Sequence, residues 1–182
     1  MDPVEAAVRR AEVRTLSPLA NGLEDIVDIA GRLAAWATLA QVVLVAVNVV
    51  LRYLFRIGPV SLQELEWHLM SPIALIGMSY GLSKGDHVRV DLIYGRFGER
   101  TRAAIDLLAA VLCAGIALAI MLLSLNFVQA SYAIAETSPD PGGLPLRWLL
   151  KAMIPLGFLL LLVQALAEIV RAVVRLSGVR NG

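Results

Sequence analysis

The sequence predicts an all-α polytopic membrane protein with four transmembrane helices and a short helix lying in the cytoplasmic interface. Three observations lead there. Apolar residues gather into four long stretches, at about 29–51, 65–83, 103–135 and 149–170. The whole chain of 182 residues is 58% hydrophobic, only 17% charged, and has a mean hydropathy of +0.74, so its solvent is lipid. The cations are sorted: the first, third and fifth hydrophilic segments hold 12 of the 16 (Arg9, Arg10, Arg14, Arg32; Lys84, Arg89, Arg96, Arg100, Arg102; Arg171, Arg175, Arg180). With four spans those segments share one side, which the positive-inside rule makes cytoplasmic, with both termini. The chain reads as one domain over 1–182. Its net charge of +1 is uninformative by itself, and no basic, aromatic-interleaved face suggests nucleic acid as a partner.

Each span has its own signature. Leu33 to Leu51 is free of charge and ends on Arg52-Tyr53, a cation and an aromatic suited to an interface; Asn48 in its last turns is expected to bond a neighbouring helix. The second span starts at Ser61-Leu62-Gln63-Glu64, which fits an S-x-x-E capping box, just after Pro59. Glu64 and Glu66 sit at the positive end of that helix dipole. Pro72 lies within it, and Ala74, Gly77, Gly81 and Gly85 form a small-residue row that lets another helix approach closely. The third span runs uncharged from Leu107 to Ala135, longer than a hydrocarbon core of about 30 Å needs. It is expected to tilt or to protrude at the end bearing Asn126, Gln129 and Tyr132. The fourth is uncharged only from Ala152 to Ala167, with Lys151 and Glu168 expected to snorkel from its ends.

Two connections carry structure of their own. In 84–102, Val90, Ile93, Tyr94 and Phe97 fall at helical spacing beside Arg89, Arg96 and Arg100, the pattern of an interfacial helix. Segment 136–147 holds Ser138-Pro139-Asp140-Pro141-Gly142-Gly143-Leu144-Pro145, a rigid, turn-rich external loop. No apolar run precedes residue 29, so the first span reads as an uncleaved anchor.

The chemistry a self-sufficient machine would need is missing from the residues. No ionisable group lies in the middle of a span, where ion pathways usually place one. Two histidines, His68 and His87, fall on opposite sides of the membrane and cannot pair around a haem. The single cysteine, Cys113, excludes a thiol oxidase. No phosphate-binding loop or nucleophile motif is present. The residues describe a membrane scaffold or partner subunit and no enzyme, with no cofactor or metal. The alternative is a small homo-oligomeric transporter or channel working by itself.

The candidate contact residues keep two readings each. Arg52 pairs with Glu64 or Glu66 across the first turn, or anchors the interface with lipid phosphate. Trp67 and Trp148 are aromatic-belt residues or ligand contacts. Gly77, Gly81 and Gly85 pack within the chain or against a partner. His87, Arg89 and Asp91 form a cytoplasmic subunit contact, or Asp91 caps the interfacial helix while Arg89 meets lipid phosphate.

Asn48, Arg52-Tyr53-Leu54-Phe55, Glu64-Leu65-Glu66-Trp67-His68 and Gly85-Asp86-His87-Val88-Arg89-Val90-Asp91, in this order against four spans, resemble the small membrane subunit of tripartite ATP-independent periplasmic (TRAP) transporters. The stretch from Ser138 to Trp148 is similar to the branch often labelled mannitol or chloroaromatic. The resemblance covers roughly 28–170; Leu62 departs from it, since many relatives carry Trp before the acidic pair. It implies a three-part secondary transporter in which a periplasmic binding protein captures an organic acid. A large membrane subunit then holds the substrate and sodium sites, and this chain widens its scaffold and helps seat the binding protein.

Overall fold

The computed structural model describes residues 18–85 and 97–178. Four helices make up the described chain: α1, Pro18–Leu54; α2, Val60–Lys84; α3, Glu99–Ala133; and α4, Arg147–Gly178. The proposed interfacial helix, with His87, Arg89 and Asp91, lies outside the described residues.

All four helices are longer than the apolar stretches that mark them, except that α3 stops at Ala133, just short of the end of its stretch. Hydropathy registers only the part of a helix that lipid would surround, whereas backbone hydrogen bonding carries the helix on into its polar ends. At 35 residues α3 extends about 52 Å, well beyond a hydrocarbon core of about 30 Å. By length and composition α1, α3 and α4 can each cross a membrane. α2, with 25 residues, is long enough, but Glu64, Glu66, His68, Ser71, Ser79, Ser83 and Lys84 make it more polar. Part of that polarity is hidden, because Ser79 and Ser83 are buried.

The helix ends follow local chemistry. Pro18 opens α1, where its missing N–H would have no partner in any case. The N-cap of α2 is Pro59 in an extended conformation, with no side-chain cap. The expected capping box is therefore not formed: the helix begins at Val60, ahead of Ser61, and Glu64 turns to the 134–146 loop instead. Gly85 closes α2 in the left-handed region (φ 75°), its N–H reaching the carbonyls of Gly81 and Leu82, so the last glycine of the row serves as a helix stop.

α4 is the helix that packs against all three others, with its longest interface against α3. The α3 face of that interface is a ladder of small residues at a spacing of seven: Ala103, Ala110, Ala117, Ser124 and Ser131, all buried. A strict seven-residue repeat keeps one seam turned toward a partner along a left-handed crossing, and small side chains let the backbones close up. Among its three neighbours α4 buries Gly157, Leu161, Gln164, Ala165, Ala167, Arg171 and Ala172.

The tightest glycine contacts lie outside the Gly77–Gly81–Gly85 row. Gly31 of α1 lies under the ring of Tyr80, where any Cβ would overlap it, and Gly157 of α4 lies against Leu75. Gly77 is exposed, and a Cβ at Gly77 or Gly81 would meet nothing within 4 Å. The row thus faces away from the rest of the described chain: α2 meets α1 through Tyr80 and meets α4 through Leu75 and Ser79.

Candidate functional site

Antiparallel neighbours place the start of α1, the end of α2, the start of α3 and the end of α4 together at what we term the tail end. The other four termini meet at the loop end. Each end carries a set of polar contacts between helices, and the apolar lengths between them carry no Asp, Glu, Lys or Arg: Leu33–Leu51, Trp67–Ser83, Leu107–Ala133 and Ala152–Ala167.

At the tail end three ion pairs join successive helices. Lys84 of α2 grips both carboxylate oxygens of Asp28 of α1 at 2.7 and 2.8 Å, with its ammonium 5.0 Å from the centre of the Tyr80 ring. Arg171 of α4 pairs with Glu24 of α1, and its other guanidinium nitrogen lies 3.1 Å from Glu168. Arg175 of α4 approaches Asp106 of α3 at 3.5 Å. The Glu24–Arg171 pair is buried, with side chains only 8% and 10% exposed. Fully buried Gln164 donates to Glu168 at 3.3 Å, while its carbonyl oxygen has no hydrogen-bond partner. The polar column from Gln164 to Arg175 thus enters the bundle by about 16 Å along α4. Glu168 belongs to this column and accepts from Arg171 and Gln164 instead of snorkelling to the surface.

At the loop end the partners are a loop as much as helices. Asn48 Nδ2 donates to Glu66 at 2.7 Å, the bond between helices expected of a buried amide in a span. Glu64 accepts from the Ser138 hydroxyl and, at 2.6 Å, from the Leu144 backbone N–H, tying the first turn of α2 to the 134–146 loop. His68 donates from Nδ1 to the Glu64 carbonyl, one turn back, at 2.7 Å. Glu136 takes the Lys151 ammonium and, at 2.6 Å, the Ser131 hydroxyl. The hydrogen bond from Lys151, then that from Ser131, hold the Glu136 carboxyl below its ordinary range. Lys151 also sits 4.1 Å from the centre of the Phe127 ring, so it too is engaged inside the structure. The loop is shaped by its own backbone as well: Ser138 N–H to Leu144 O, Gly143 N–H to Asp140 O and Arg147 N–H to Glu136 O, at 3.0–3.2 Å. This is the ordered, turn-rich segment that its prolines and glycines predict.

The candidate residues divide accordingly. Glu64 and Glu66 are brought into the loop-end contacts, and Trp148 stands edge-on to Tyr132 with ring centres 5.3 Å apart, joining α3 to α4. Arg52 is exposed and pairs with neither acid: Glu64 is engaged by Ser138 and Leu144, and Glu66 by Asn48. Trp67 is 73% exposed on the outside of α2, as an aromatic-belt residue would be. Gly77 and Gly81 lie on open surface, and Gly85 is a cap.

Sequence reasoning missed the tail-end pairs entirely. The i, i+3 spacing of Glu168 and Arg171 was visible, but Glu24 is separated from Arg171 by 147 positions and nothing local links them. It also missed the seven-residue ladder on α3, which is legible in the spacing from Ala103 to Ser131. Among the described residues no group of three or more His, Cys, Asp and Glu side chains could hold a metal ion.

No curated protein matches the chain. Residues 41–175 match the family described as the DctQ component of tripartite ATP-independent periplasmic transporters, and this region takes in the second part of α1 from Gln41, the whole of α2 and α3, and α4 to Arg175. With well over half of its length matched, and with helices apolar enough to cross a membrane, the chain belongs to the DctQ family of TRAP transporter components.

Proposed function

We propose that this chain is the fixed scaffold subunit of a TRAP-type secondary transporter for an organic acid, of the mannitol or chloroaromatic branch. In this reading it sits in the bacterial inner membrane with all four helices spanning and both termini cytoplasmic. It packs against the large membrane subunit, which carries substrate and sodium, and helps seat the periplasmic binding protein. The observation that supports it is the distribution of charge. The charged contacts between helices gather at the two ends of the bundle, while the lengths between carry no Asp, Glu, Lys or Arg. Such a body resists sliding of one helix past another, which suits a support and not a moving carrier. α2 spans beside the others because α1 and α4 cover its polar face, leaving Trp67, Met70 and Met78 outward. The open side of α2 at Gly77 and Gly81 and the loop shaped by Glu64 are the surfaces we assign to the large subunit and the binding protein, respectively. His87, Arg89 and Asp91 are assigned to the large subunit at the cytoplasmic face. No observation favours a self-sufficient transporter.

Reconstitution tests this. The chain alone in vesicles should give no sodium-driven or proton-driven uptake of any organic acid, and adding it to the large subunit and the binding protein should restore uptake. Robust uptake by the chain alone would overturn the proposal. For orientation, a reporter active only outside the cytoplasm should be silent after Gly182 and active within 138–144.

A further inference from the structure

We propose that the corner between α1 and α2, residues 52–57, is a binding site for anionic phospholipid headgroups. The run Arg52-Tyr53-Leu54-Phe55-Arg56-Ile57 is exposed at all six positions, with Tyr53 at 75% and Leu54 at 73%. Four large apolar side chains in sequence would be costly to leave in water. Two arginines would be costly to leave in hydrocarbon. The corner follows directly on the uncharged length Leu33–Leu51, so it lies where hydrocarbon gives way to headgroups, the one layer in which both kinds of side chain are satisfied.

Charge selects the headgroup. Among the described residues neither the Arg52 nor the Arg56 side chain forms an ion pair or hydrogen bond, and the glutamates of the same end are engaged elsewhere: Glu64 with Ser138 and Leu144, Glu66 with Asn48, Glu136 with Lys151. The corner therefore presents two uncompensated guanidinium groups, each a planar fork matched to phosphate oxygens. Its backbone is pinned as well. The N–H groups of Phe55 and Ile57 both donate to the Leu51 carbonyl at 3.1 Å, and Arg56 between them is held at φ 56°, a region that residues other than glycine rarely adopt. A turn held this way keeps the two arginines within one short, outward-facing segment, on a body fastened by Asn48–Glu66 just beneath it.

The test is native mass spectrometry of the purified full chain with equal amounts of phosphatidylglycerol and phosphatidylcholine. We expect preferential retention of phosphatidylglycerol, reduced roughly fivefold for each arginine lost in Arg52→Gln and in the double variant with Arg56→Gln. Arg32→Gln, which removes another exposed arginine from the other half of α1, should leave retention unchanged; an equal loss there, or full retention in the double variant, overturns the site. Arg56→Gly adopts the left-handed turn without strain, so it should keep the fold and still lose its share of retention. A photoreactive group at position 55, in membranes holding the whole transporter, should label lipid. Labelling of protein alone would overturn the lipid assignment and make the corner a docking surface for another subunit.

Discussion

The two ends of the bundle use the same residue types for different ends. At the tail end the acids and cations sit on helices and meet one another, and the central pair, Glu24 with Arg171, is almost wholly buried. At the loop end the acids take hydroxyls, an amide, an ammonium and a backbone N–H, and they remain partly open to solvent. The contrast shows what each arrangement can do. A buried ion pair between helices fixes register and angle, since moving either helix strands a charge. A carboxylate holding a loop by N–H and O–H groups fixes the shape of the loop and yields when the carboxylate is protonated. The tail end is thus a pin, and the loop end a mount for an exposed surface.

Breaking the pin should have the largest effect. Arg171→Met leaves Glu24 buried without its partner and should cost about 3–5 kcal/mol, read as loss of folded protein or a steep fall in the thermal midpoint in detergent. Replacing both residues, Glu24→Leu with Arg171→Met, should recover much of that loss, because a packed apolar pair substitutes for an ion pair at little net cost. If the single and double variants were equally damaged, the pair would not be acting as a unit.

The glycines sharpen the comparison along the length of the bundle. Gly31→Val should drive α1 away from Tyr80 and lower stability by roughly 1–3 kcal/mol or more, the range for overpacking. Gly81→Leu should leave the isolated chain as stable as the parent, because nothing lies within 4 Å of its Cβ position. Loss of co-purification with the large subunit in that variant would identify the open side of α2 as the contact. Ala117→Phe, in the middle of the α3 ladder, should cost about as much as the Gly31 change, and Ala119→Phe, on an exposed position of the same helix, close to nothing.

The mount should respond least to substitution and most to pH. Ser138→Ala removes one hydrogen bond from Glu64 and should cost about 1 kcal/mol, with proteolytic cleavage of the 134–146 loop as the sensitive measure. Glu136 has its carboxyl held below the ordinary value of 4.5, so the stabilisation it gives is complete above that value and is lost as pH falls through the lower, folded one. The thermal midpoint should therefore fall on acidification below pH 4.5. Glu136→Gln should flatten that part of the profile and lower the neutral midpoint toward the value the parent shows in acid.

How much of this was legible beforehand depended on distance along the chain. The apolar lengths, the turn-rich loop and the bond expected from Asn48 could all be read, because each follows from the composition of a few neighbouring residues in a lipid solvent. Helix ends were less legible. Ser61 to Glu64 had the spacing of a capping box, yet Glu64 found better donors in Ser138 and Leu144, some 74 and 80 positions away. The glycine row was visible and its role was not, because the spacing of small residues shows that a helix can be approached but not by which partner.

By itself the sequence determined that the chain lives in a membrane, how its helices are divided and where its acids and cations fall along them; burying backbone in lipid forces helices, and lipid sorts charges to their ends. Only the tertiary structure decided that α4 is the common neighbour, that Gly31 and Gly157 are the close contacts and that Glu24 meets Arg171. In a lipid solvent hydrophobicity does not distinguish one helix face from another, so the choice falls to close packing of small residues and to long-range polar pairs. Those are set by the geometry of the whole bundle, and no local window contains them.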